Sequence, residues 1–172
     1  VRDVVRFLKD ALNGDKVATS YDSFSIDGFR LGIRPEQPPT ILIAALREGM
    51  LRLAGKEADG TIINWLAPND VPKVAEILKQ FGDDKEIVAR IFVCPSENAE
   101  VVRRAARYAI AAYLNVPVYA AFHAWLGRSA QLEPMWSHWR AGDRQKALAA
   151  IPDEVVDELI VHGSPAACRA RI

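Results

Sequence analysis

The spacing of hydrophobic residues changes along the chain, and each spacing predicts a different kind of element. Over residues 1–13 the apolar side chains recur at helical spacing, and Gly14 follows them as a stop signal, which predicts an N-terminal helix. Over residues 20–33 the period is two, with Asp27-Gly28 between the apolar positions. Asp-Gly in that setting is a strong hairpin signal, so we predict a β-hairpin that turns at Asp27-Gly28.

From residue 41 onwards, continuous apolar runs alternate with helical periodicity. The runs predict three strands buried on both faces, at residues 41–46, 61–66 and 86–94. A helix is predicted after each strand, the last one capped by Ser96. Such βαβ crossovers are right-handed almost without exception, so we expect parallel strands covered by helices. This α/β pattern fits a portion of a (β/α) barrel or of an open doubly wound sheet, and residues 115–172 are predicted to form short helices.

Composition restricts the class of protein. The chain has 172 residues, half of them apolar, and its 22 basic and 22 acidic side chains leave no formal net charge. Balanced charge argues against nucleic-acid binding, which needs a basic surface. No apolar run reaches the roughly 18 residues of a membrane span, and no signal-peptide pattern is present. Cys94 and Cys168 form no metal-binding pair, so we predict a cytoplasmic protein without a metal site.

Several short motifs, in a fixed order, resemble one family. They are Ala44-Ala45-Leu46, Leu53-Ala54-Gly55, Ala58-Asp59-Gly60, Asn64-Trp65-Leu66, Asn115-Val116-Pro117, Ala141-Gly142-Asp143-Arg144, Ile151-Pro152-Asp153-Glu154 and Gly163-Ser164-Pro165. Each motif alone is weak, but their order and spacing together resemble the luciferase-like family. More narrowly, they resemble its deazaflavin (F420)-dependent oxidoreductases.

The resemblance implies a fold and a place within it. The family fold is a TIM barrel, and a barrel domain usually has about 250 residues or more. The chain would therefore supply about three late strands, and we expect residues 1–172 to be the C-terminal part of one luciferase-like domain, a fragment of a longer chain. Within it we expect a hairpin insertion at 20–33 and a helical region at 115–172. The catalytic acid and histidine of the family lie in the first half, so they remain unassigned.

The best candidate for a ligand-binding site is a strand-to-helix corner, made of Ala44, Ala45, Leu46, Arg47, Glu48 and Gly49. The corner follows the carboxyl end of a buried strand, where barrel active sites form. It also leads into a helix N-terminus, whose free N–H groups and positive dipole end favour anions. The resemblance implies that it contacts the phosphate and ribityl chain of the cofactor. The alternative is a plain turn whose small residues serve packing.

Asn64 and Trp65 are expected at the same end of the next strand. The Asn64 amide could form a hydrogen bond with the ring or the ribityl chain of the cofactor. The Trp65 ring could form one wall of an apolar pocket. The alternative for both residues is the end of a buried strand that happens to be polar.

Two further groups of side chains are candidates for binding, and for both we favour a structural role. The three histidines have no partner at the spacing of a metal site, so we expect them on helix surfaces or at helix caps; they are His123, His138 and His162. Three arginines follow one predicted helix, and we expect a solvated face rather than contact with the anionic tail of the cofactor; they are Arg103, Arg104 and Arg107.

The resemblance leads to a functional hypothesis. We expect an oxidoreductase in which coenzyme F420 exchanges a hydride with a small organic substrate, such as an alcohol, an enone or a C=N bond. The alternative within the family is a monooxygenase that uses FMN and oxygen. An alternative of another class is a non-catalytic half barrel that dimerises or binds a partner protein. We expect a homodimer, and neither a nucleic acid nor a membrane as partner.

Overall fold

The computed structural model describes residues 1–172 and contains nine helices and seven strands. In chain order these are α1 (Arg2–Leu12), β1 (Val17–Ser20), β2 (Ser25–Phe29), β3 (Leu42–Ala44), α2 (Glu48–Glu57), β4 (Gly60–Asn64), α3 (Val71–Lys79), β5 (Glu86–Arg90), β6 (Phe92–Cys94), α4 (Ala99–Leu114), α5 (Pro117–Trp125), α6 (Ser129–Arg140), α7 (Arg144–Ala149), α8 (Asp153–Leu159), β7 (Ile160–His162) and α9 (Pro165–Arg171). A 3₁₀ turn at Pro68–Asp70 precedes α3. The chain divides into two compact units: unit 1 holds residues 1–62 and 74–88, and unit 2 holds residues 63–73 and 89–172.

The strands form three small sheets. β1 and β2 make an antiparallel hairpin, β3, β4 and β5 are neighbours in that order, and β6 pairs with β7. β3 runs parallel to β4, and β6 runs parallel to β7. Parallel strands that alternate with helices confirm the predicted α/β class.

The hairpin turns at a different place from the predicted one. Its turn is formed by residues 21–24, where the Tyr21 N–H donates to the Phe24 carbonyl at 2.8 Å. Asp27-Gly28 lies inside β2 instead, opposite a shift of register in β1. Gly28 has a φ of +80°, which a bulge uses as readily as a turn does. The turn predicted at Asp27-Gly28 is therefore wrong, and the description of residues 20–33 as an insertion remains a prediction.

The strand predicted at residues 86–94 is divided in two. Ile91 lies between β5 and β6 and is 47% exposed, and the two strands belong to different sheets. The apolar run does not reveal this break. β5 forms its backbone hydrogen bonds in the sheet with β3 and β4, whereas β6 pairs with β7, and both settings favour the same apolar residues. The same cause explains β7, a three-residue strand within the region 115–172 that was predicted to be helical. It is a strand because β6 supplies its hydrogen-bond partners.

The N-cap residue of α4 differs from the predicted one. Ser96 was predicted to cap this helix, but the Asn98 side chain accepts the hydrogen bond from the Val101 N–H, at 3.1 Å. The Ser96 hydroxyl instead accepts from the Asn98 N–H at 3.2 Å, which orders the approach to the helix.

The largest hydrophobic core lies in unit 2. It joins α4, α6 and α8 to β7, and its fully buried members include Ile110, Leu132 and Val155. The Trp136 indole N–H, buried in this core, donates to the Leu114 carbonyl at 2.8 Å. Because its indole N–H has a hydrogen-bond acceptor, the Trp136 side chain can be buried without a large desolvation penalty.

In unit 1, the Ala58-Asp59-Gly60 motif sets the start of two strands. The Asp59 carboxylate accepts from the Ile41 N–H at 2.7 Å, and the Asp59 N–H donates to the Ile41 carbonyl at 2.9 Å. A Cβ atom at Gly60 would lie 2.8 Å from the backbone N and C atoms of Glu86 and would overlap its carbonyl oxygen. The motif is therefore structural, because it fixes the register at the amino-terminal end of β4.

We expect Gly60→Ala to lower the free energy of unfolding by about 3 kcal/mol, since the backbone of Glu86 cannot give way as a side chain would. The matched control is Gly32→Ala, because a Cβ atom at Gly32 meets nothing within 4 Å. Chemical denaturation of both variants measures the effect. Equal stability of the two variants would contradict this role for Gly60.

A second constraint in unit 1 is a charged pair that joins α1 to α2. Arg6 Nε and Nη2 donate to the Glu57 carboxylate at 2.8 and 2.7 Å, and Glu57 is only 8% exposed. The hydrogen bonds from Arg6 lower the pKa of Glu57 below its ordinary value of 4.5. Since the pKa of the folded state is the lower one, this pair contributes stability that is complete above pH 4.5 and is lost as the pH falls through the pKa of the folded protein.

We expect Glu57→Gln to lower the free energy of unfolding by about 1 kcal/mol at pH 7, because it removes a charge-assisted pair. The difference from the unsubstituted protein should shrink as the pH falls below 4.5. Glu48→Gln is the control in the same helix, since its pair with Arg52 is exposed and should change stability by less than about 0.5 kcal/mol. If Glu57→Gln lowers the free energy of unfolding by the same amount at every pH, the ionised Arg6–Glu57 pair is not the cause.

Candidate functional site

The strand-to-helix corner after β3 has the backbone geometry of an anion site. The Ala45 N–H still donates to the Ile62 carbonyl at 3.1 Å, so the chain follows β4 for one residue beyond β3. Arg47 then occupies the N-cap position of α2 in an extended conformation and makes no side-chain cap. The N–H groups of the first turn are therefore free of a side-chain acceptor, and with the helix dipole they attract negative charge.

The side chains around this corner leave room for a ligand. Ala44 is exposed, and a Cβ atom at Gly49 would meet no other atom within 4 Å. The Arg47 side chain is exposed too. The negative charge of Glu48 would repel a bound anion, but its carboxylate pairs with Arg52 Nη2 at 2.8 Å, one turn further along the helix. The corner therefore suits a phosphate group approached by Arg47 and backbone N–H groups.

At the end of β4, Trp65 has a strained backbone. Its φ of 58° makes it the one non-glycine residue with a positive φ in the chain, and its side chain is 1% exposed. Its ring stacks on Phe92, with centroids 3.9 Å apart, and lies 5.2 Å from Tyr113. A bulky residue in this conformation is an outlier, and such outliers cluster at functional sites. The ring itself packs in the core of unit 2, so its role in binding a ligand remains a prediction.

Two residues of α5 approach the end of β4. The Asn64 amide donates to the Tyr119 hydroxyl at 3.3 Å, while its Oδ1 is buried without a partner. His123, four residues after Tyr119 and so on the same face of α5, is fully buried. Its pKa falls to about 3, first because burial penalises the charged ring and then because of the nearby Arg128, while the Trp65 backbone opposes this shift. The surface or cap position predicted for His123 is therefore wrong.

A buried arginine holds the loop that follows β4. Arg128 pairs with Asp70 at 2.9 Å and with Glu158 at 2.8 Å, and its side chain is only 7% exposed. The same Asp70 carboxylate oxygen accepts from the Ala67 N–H at 2.8 Å. Arg128 therefore joins the loop after β4 to helix α8, within unit 2.

Two of the three arginines on α4 have partners. Arg103 forms a two-pronged pair with Asp157, and Arg107 donates to the Asp153 carboxylate at 2.7 Å. Asp157 also contacts the His162 ring at 2.7 Å, and the bonds from Arg103 and then His162 lower the pKa of Asp157. The solvated face predicted for these arginines is wrong for Arg103 and Arg107, which join α4 to α8, although Arg104 is exposed.

An apolar cavity of about 220 Å³ lies within unit 2. Its walls include Leu66 and Ala67 from the loop after β4, and Leu159 and Val161 from the α8–β7 region. Arg90, Glu158 and Arg171 contribute its charged groups, and Ile172 also lines it. A small concave site with apolar walls and a few polar groups is typical of binding sites for small organic molecules.

Sequence reasoning missed two polar residues near the end of β4, Asp70 and Arg128, and it did not place His123 in the interior. The spacing of four between Tyr119 and His123 was a visible signal that both lie on one face of a helix. The partners of Arg128 were not visible, because they come from distant segments. No group of three His, Cys, Asp or Glu residues is arranged to hold a metal ion, and no helix is long and apolar enough to span a bilayer.

The chain is similar to several known proteins. The profile of the luciferase-like monooxygenase family matches residues 1–172. The sequence is 24% identical, over 176 residues, to 5,10-methylenetetrahydromethanopterin reductase of Archaeoglobus fulgidus, and the match covers 96% of this chain and 53% of that protein. The chain thus spans about half the length of this relative.

Two solved structures resemble the fold. The coenzyme F420-dependent tetrahydromethanopterin reductase of Methanopyrus kandleri matches with a TM-score of 0.71 at 19% identity, over 99% of this chain and 52% of that one. An F420-dependent secondary alcohol dehydrogenase, in complex with an F420–acetone adduct, matches with a TM-score of 0.65 at 17% identity, over 96% of this chain and 48% of that one. These matches confirm that the fold is a portion of a TIM barrel.

We expect Arg128→Met to lower the free energy of unfolding by about 3 kcal/mol, because it leaves the buried Asp70 carboxylate without its cation. Arg140→Met is the matched control: its pair with Glu133 is exposed, and its loss should cost less than about 1 kcal/mol. Urea denaturation at pH 7 gives both values. Similar losses for the two variants would show that Arg128 does not hold the loop.

Proposed function

The chain belongs to the luciferase-like monooxygenase family, and on that premise we propose that it is part of an F420-dependent oxidoreductase. The reaction would be hydride transfer between the deazaflavin and a small organic substrate. Both similar structures are named for coenzyme F420, and neither they nor the Archaeoglobus fulgidus relative support the FMN alternative. Because the chain spans about half the length of each of these proteins, we propose the activity for the whole protein rather than for this stretch of sequence alone.

The observation that supports the proposal best is the corner after β3. Coenzyme F420 carries a phosphate group between its ribityl chain and its glutamate tail. The free N–H groups at the start of α2, the exposed Arg47 side chain and the open space at Gly49 suit such an anion. Ala44 and Ala45 let the ribityl chain approach the backbone, and Leu46 completes the turn.

The end of β4 would contact the cofactor or the substrate through Asn64. Its buried Oδ1 has no partner within the chain, so it can accept a hydrogen bond from a ligand group. Trp65 would support this contact from the core, where its ring stacks on Phe92. The deazaflavin supplies the hydride-carrying carbon, whereas the residues of this chain bind it, orient it and exclude water.

The apolar cavity of unit 2 suits a small substrate with little charge, such as an alcohol or a ketone. No residue of this chain is assigned as the proton donor. A homodimer and a cytoplasmic location are part of the same proposal. Size-exclusion chromatography with light scattering measures the first, and cell fractionation the second.

Binding of F420 to the full protein tests the proposal directly. We expect saturable binding in the micromolar range, followed by the change in cofactor fluorescence, and no such binding of FMN. Binding of FMN alone would exclude F420 as the cofactor. Failure of both cofactors to bind would favour the non-catalytic half barrel.

A charge reversal tests the corner after β3. Arg47→Glu should weaken F420 binding by about ten-fold at low salt, because it places a negative charge beside the phosphate. Lys56→Glu is the matched control: it makes the same charge change in the last turn of α2, about 14 Å along the helix. The control should bind F420 within about two-fold of the unsubstituted protein. Equal loss in both variants would mean that only overall charge matters, and the corner would not be the phosphate site.

A further inference from the structure

A hydrogen bond at the end of β4 leaves one tyrosine hydroxyl with a proton to donate. The Asn64 Nδ2 donates to the Tyr119 hydroxyl at 3.3 Å, so the hydroxyl oxygen is the acceptor in this pair. A phenol hydroxyl is both an acceptor and a donor, and the O–H of Tyr119 has no acceptor within the chain. Its proton is therefore available to a ligand.

Aromatic packing fixes the ring of Tyr119, so that the hydroxyl has a defined position. The ring packs edge-on against Tyr113, with centroids 5.7 Å apart, and Tyr113 packs in turn against the Trp65 ring at 5.2 Å. Tyr119 is also the third residue of α5, which begins at Pro117. A catalytic group needs such a fixed position, because small displacements from the reacting atoms cost rate.

The partner of this hydroxyl lies where barrel active sites form. Asn64 is the last residue of β4 and follows Ile63, which is buried. Side chains alternate along a strand, so Asn64 leaves β4 on the face opposite to Ile63. The Asn64 Oδ1 has no partner, which makes Tyr119 the one hydrogen-bond partner of this amide within the chain. Catalytic side chains of barrel enzymes come from the carboxyl ends of strands, the position that Asn64 occupies.

We propose that Tyr119 is the proton donor of the reaction and that, together with Asn64, it binds the oxygen atom of a ketone or an alcohol. The inference rests on the proposed function, which leaves the proton donor open. Reduction of a ketone adds a hydride from the deazaflavin to the carbonyl carbon, and the π electrons of the C=O bond move to oxygen. The O–H bond of Tyr119 breaks and its proton joins that oxygen, so the ketone becomes an alcohol and the deazaflavin is oxidised. The Asn64 N–H stabilises the phenoxide until water returns the proton.

Contact between Tyr119 and a carbonyl oxygen can be measured without turnover. In the full protein labelled with 3-fluorotyrosine, the ¹⁹F resonance of Tyr119 is assigned by its loss in Tyr119→Phe. The probe is butanone, added with and without F420, and it should shift this resonance in a saturable way at about millimolar concentration. The resonance of Tyr108 is the internal control and should not show this shift, because Tyr108 is 69% exposed on α4.

Turnover of ketones by reduced F420 tests the proton transfer. Tyr119→Phe keeps the packed ring, so the melting temperature should fall by no more than about 4 °C and the Kd for F420 should stay within about two-fold. The kcat for a series of ketones from butanone to cyclohexanone should fall by about 100-fold, the lower end of what a general acid contributes. Tyr108→Phe makes the same change at an exposed position and should alter none of these values.

Asn64→Asp tests the direction of the hydrogen bond. A carboxylate has nearly the shape of the amide but can only accept, so it would draw the Tyr119 proton to itself. We therefore expect kcat to fall as far as in Tyr119→Phe, although the tyrosine is retained. A kcat of Asn64→Asp close to that of the unsubstituted protein would overturn the inference, because the Asn64 N–H would then be unnecessary.

Three further results would contradict the inference. The first is a Tyr119 resonance that butanone leaves unchanged both with and without F420. The second is a parallel loss of kcat, F420 affinity and stability in Tyr119→Phe, which would show a structural role. The third is a protein that binds F420 but reduces none of the ketones, which would exclude this substrate class.

Failure of the proposed function gives a different result. If the unsubstituted protein does not bind F420, the proposed cofactor is wrong and no hydride transfer needs a proton donor. The response of the Tyr119 resonance to butanone in the cofactor-free protein then decides whether Tyr119 and Asn64 bind an oxygen atom.

Discussion

The close approach of the Glu86 backbone to Gly60 is the constraint on which the sheet in unit 1 depends. No side chain fits between these two segments, so β4 can start only at a glycine. Asp59, directly before it, holds the start of β3 through two hydrogen bonds with Ile41. Register in a sheet is strict because a slip of one residue exchanges its two faces. The position of every later residue on β4, Asn64 included, follows from this start.

Buried or half-buried charged pairs join the helices to one another and to the loops. Arg6 with Glu57 joins α1 to α2, and Arg128 with Asp70 and Glu158 joins the loop after β4 to α8. Pairs of this kind add little net stability over a hydrophobic contact, but breaking one leaves an unpaired charge. Their contribution is thus mainly to specify a single arrangement. In unit 2, that arrangement is the one that orders the loop beside the candidate site.

Each unit has one candidate binding feature, an ordinary one in unit 1 and a strained one in unit 2. The corner after β3 uses only what the start of any helix offers, namely free N–H groups and a dipole, together with small residues that leave space. The end of β4 is unusual, because Trp65 is held at a positive φ in a packed aromatic stack. A strained backbone conformation of this kind persists only where several surrounding contacts hold it in place. The rings of Phe92 and Tyr113, which pack against the Trp65 ring, provide those surroundings.

The local sequence pattern determined the α/β class, most helices, the corner from Ala44 to Gly49 and the family resemblance, because periodicity, glycine and capping act over a few residues. It did not determine the hairpin turn, since Asp-Gly suits a bulge as well as a turn. It did not determine the break at Ile91 either, since an apolar run looks the same whether it pairs in one sheet or in two. The burial of His123, the pairing of Arg103 with Asp157 and the conformation of Trp65 were decided only by the tertiary structure. Each depends on groups far away in sequence, whose proximity no local spacing encodes.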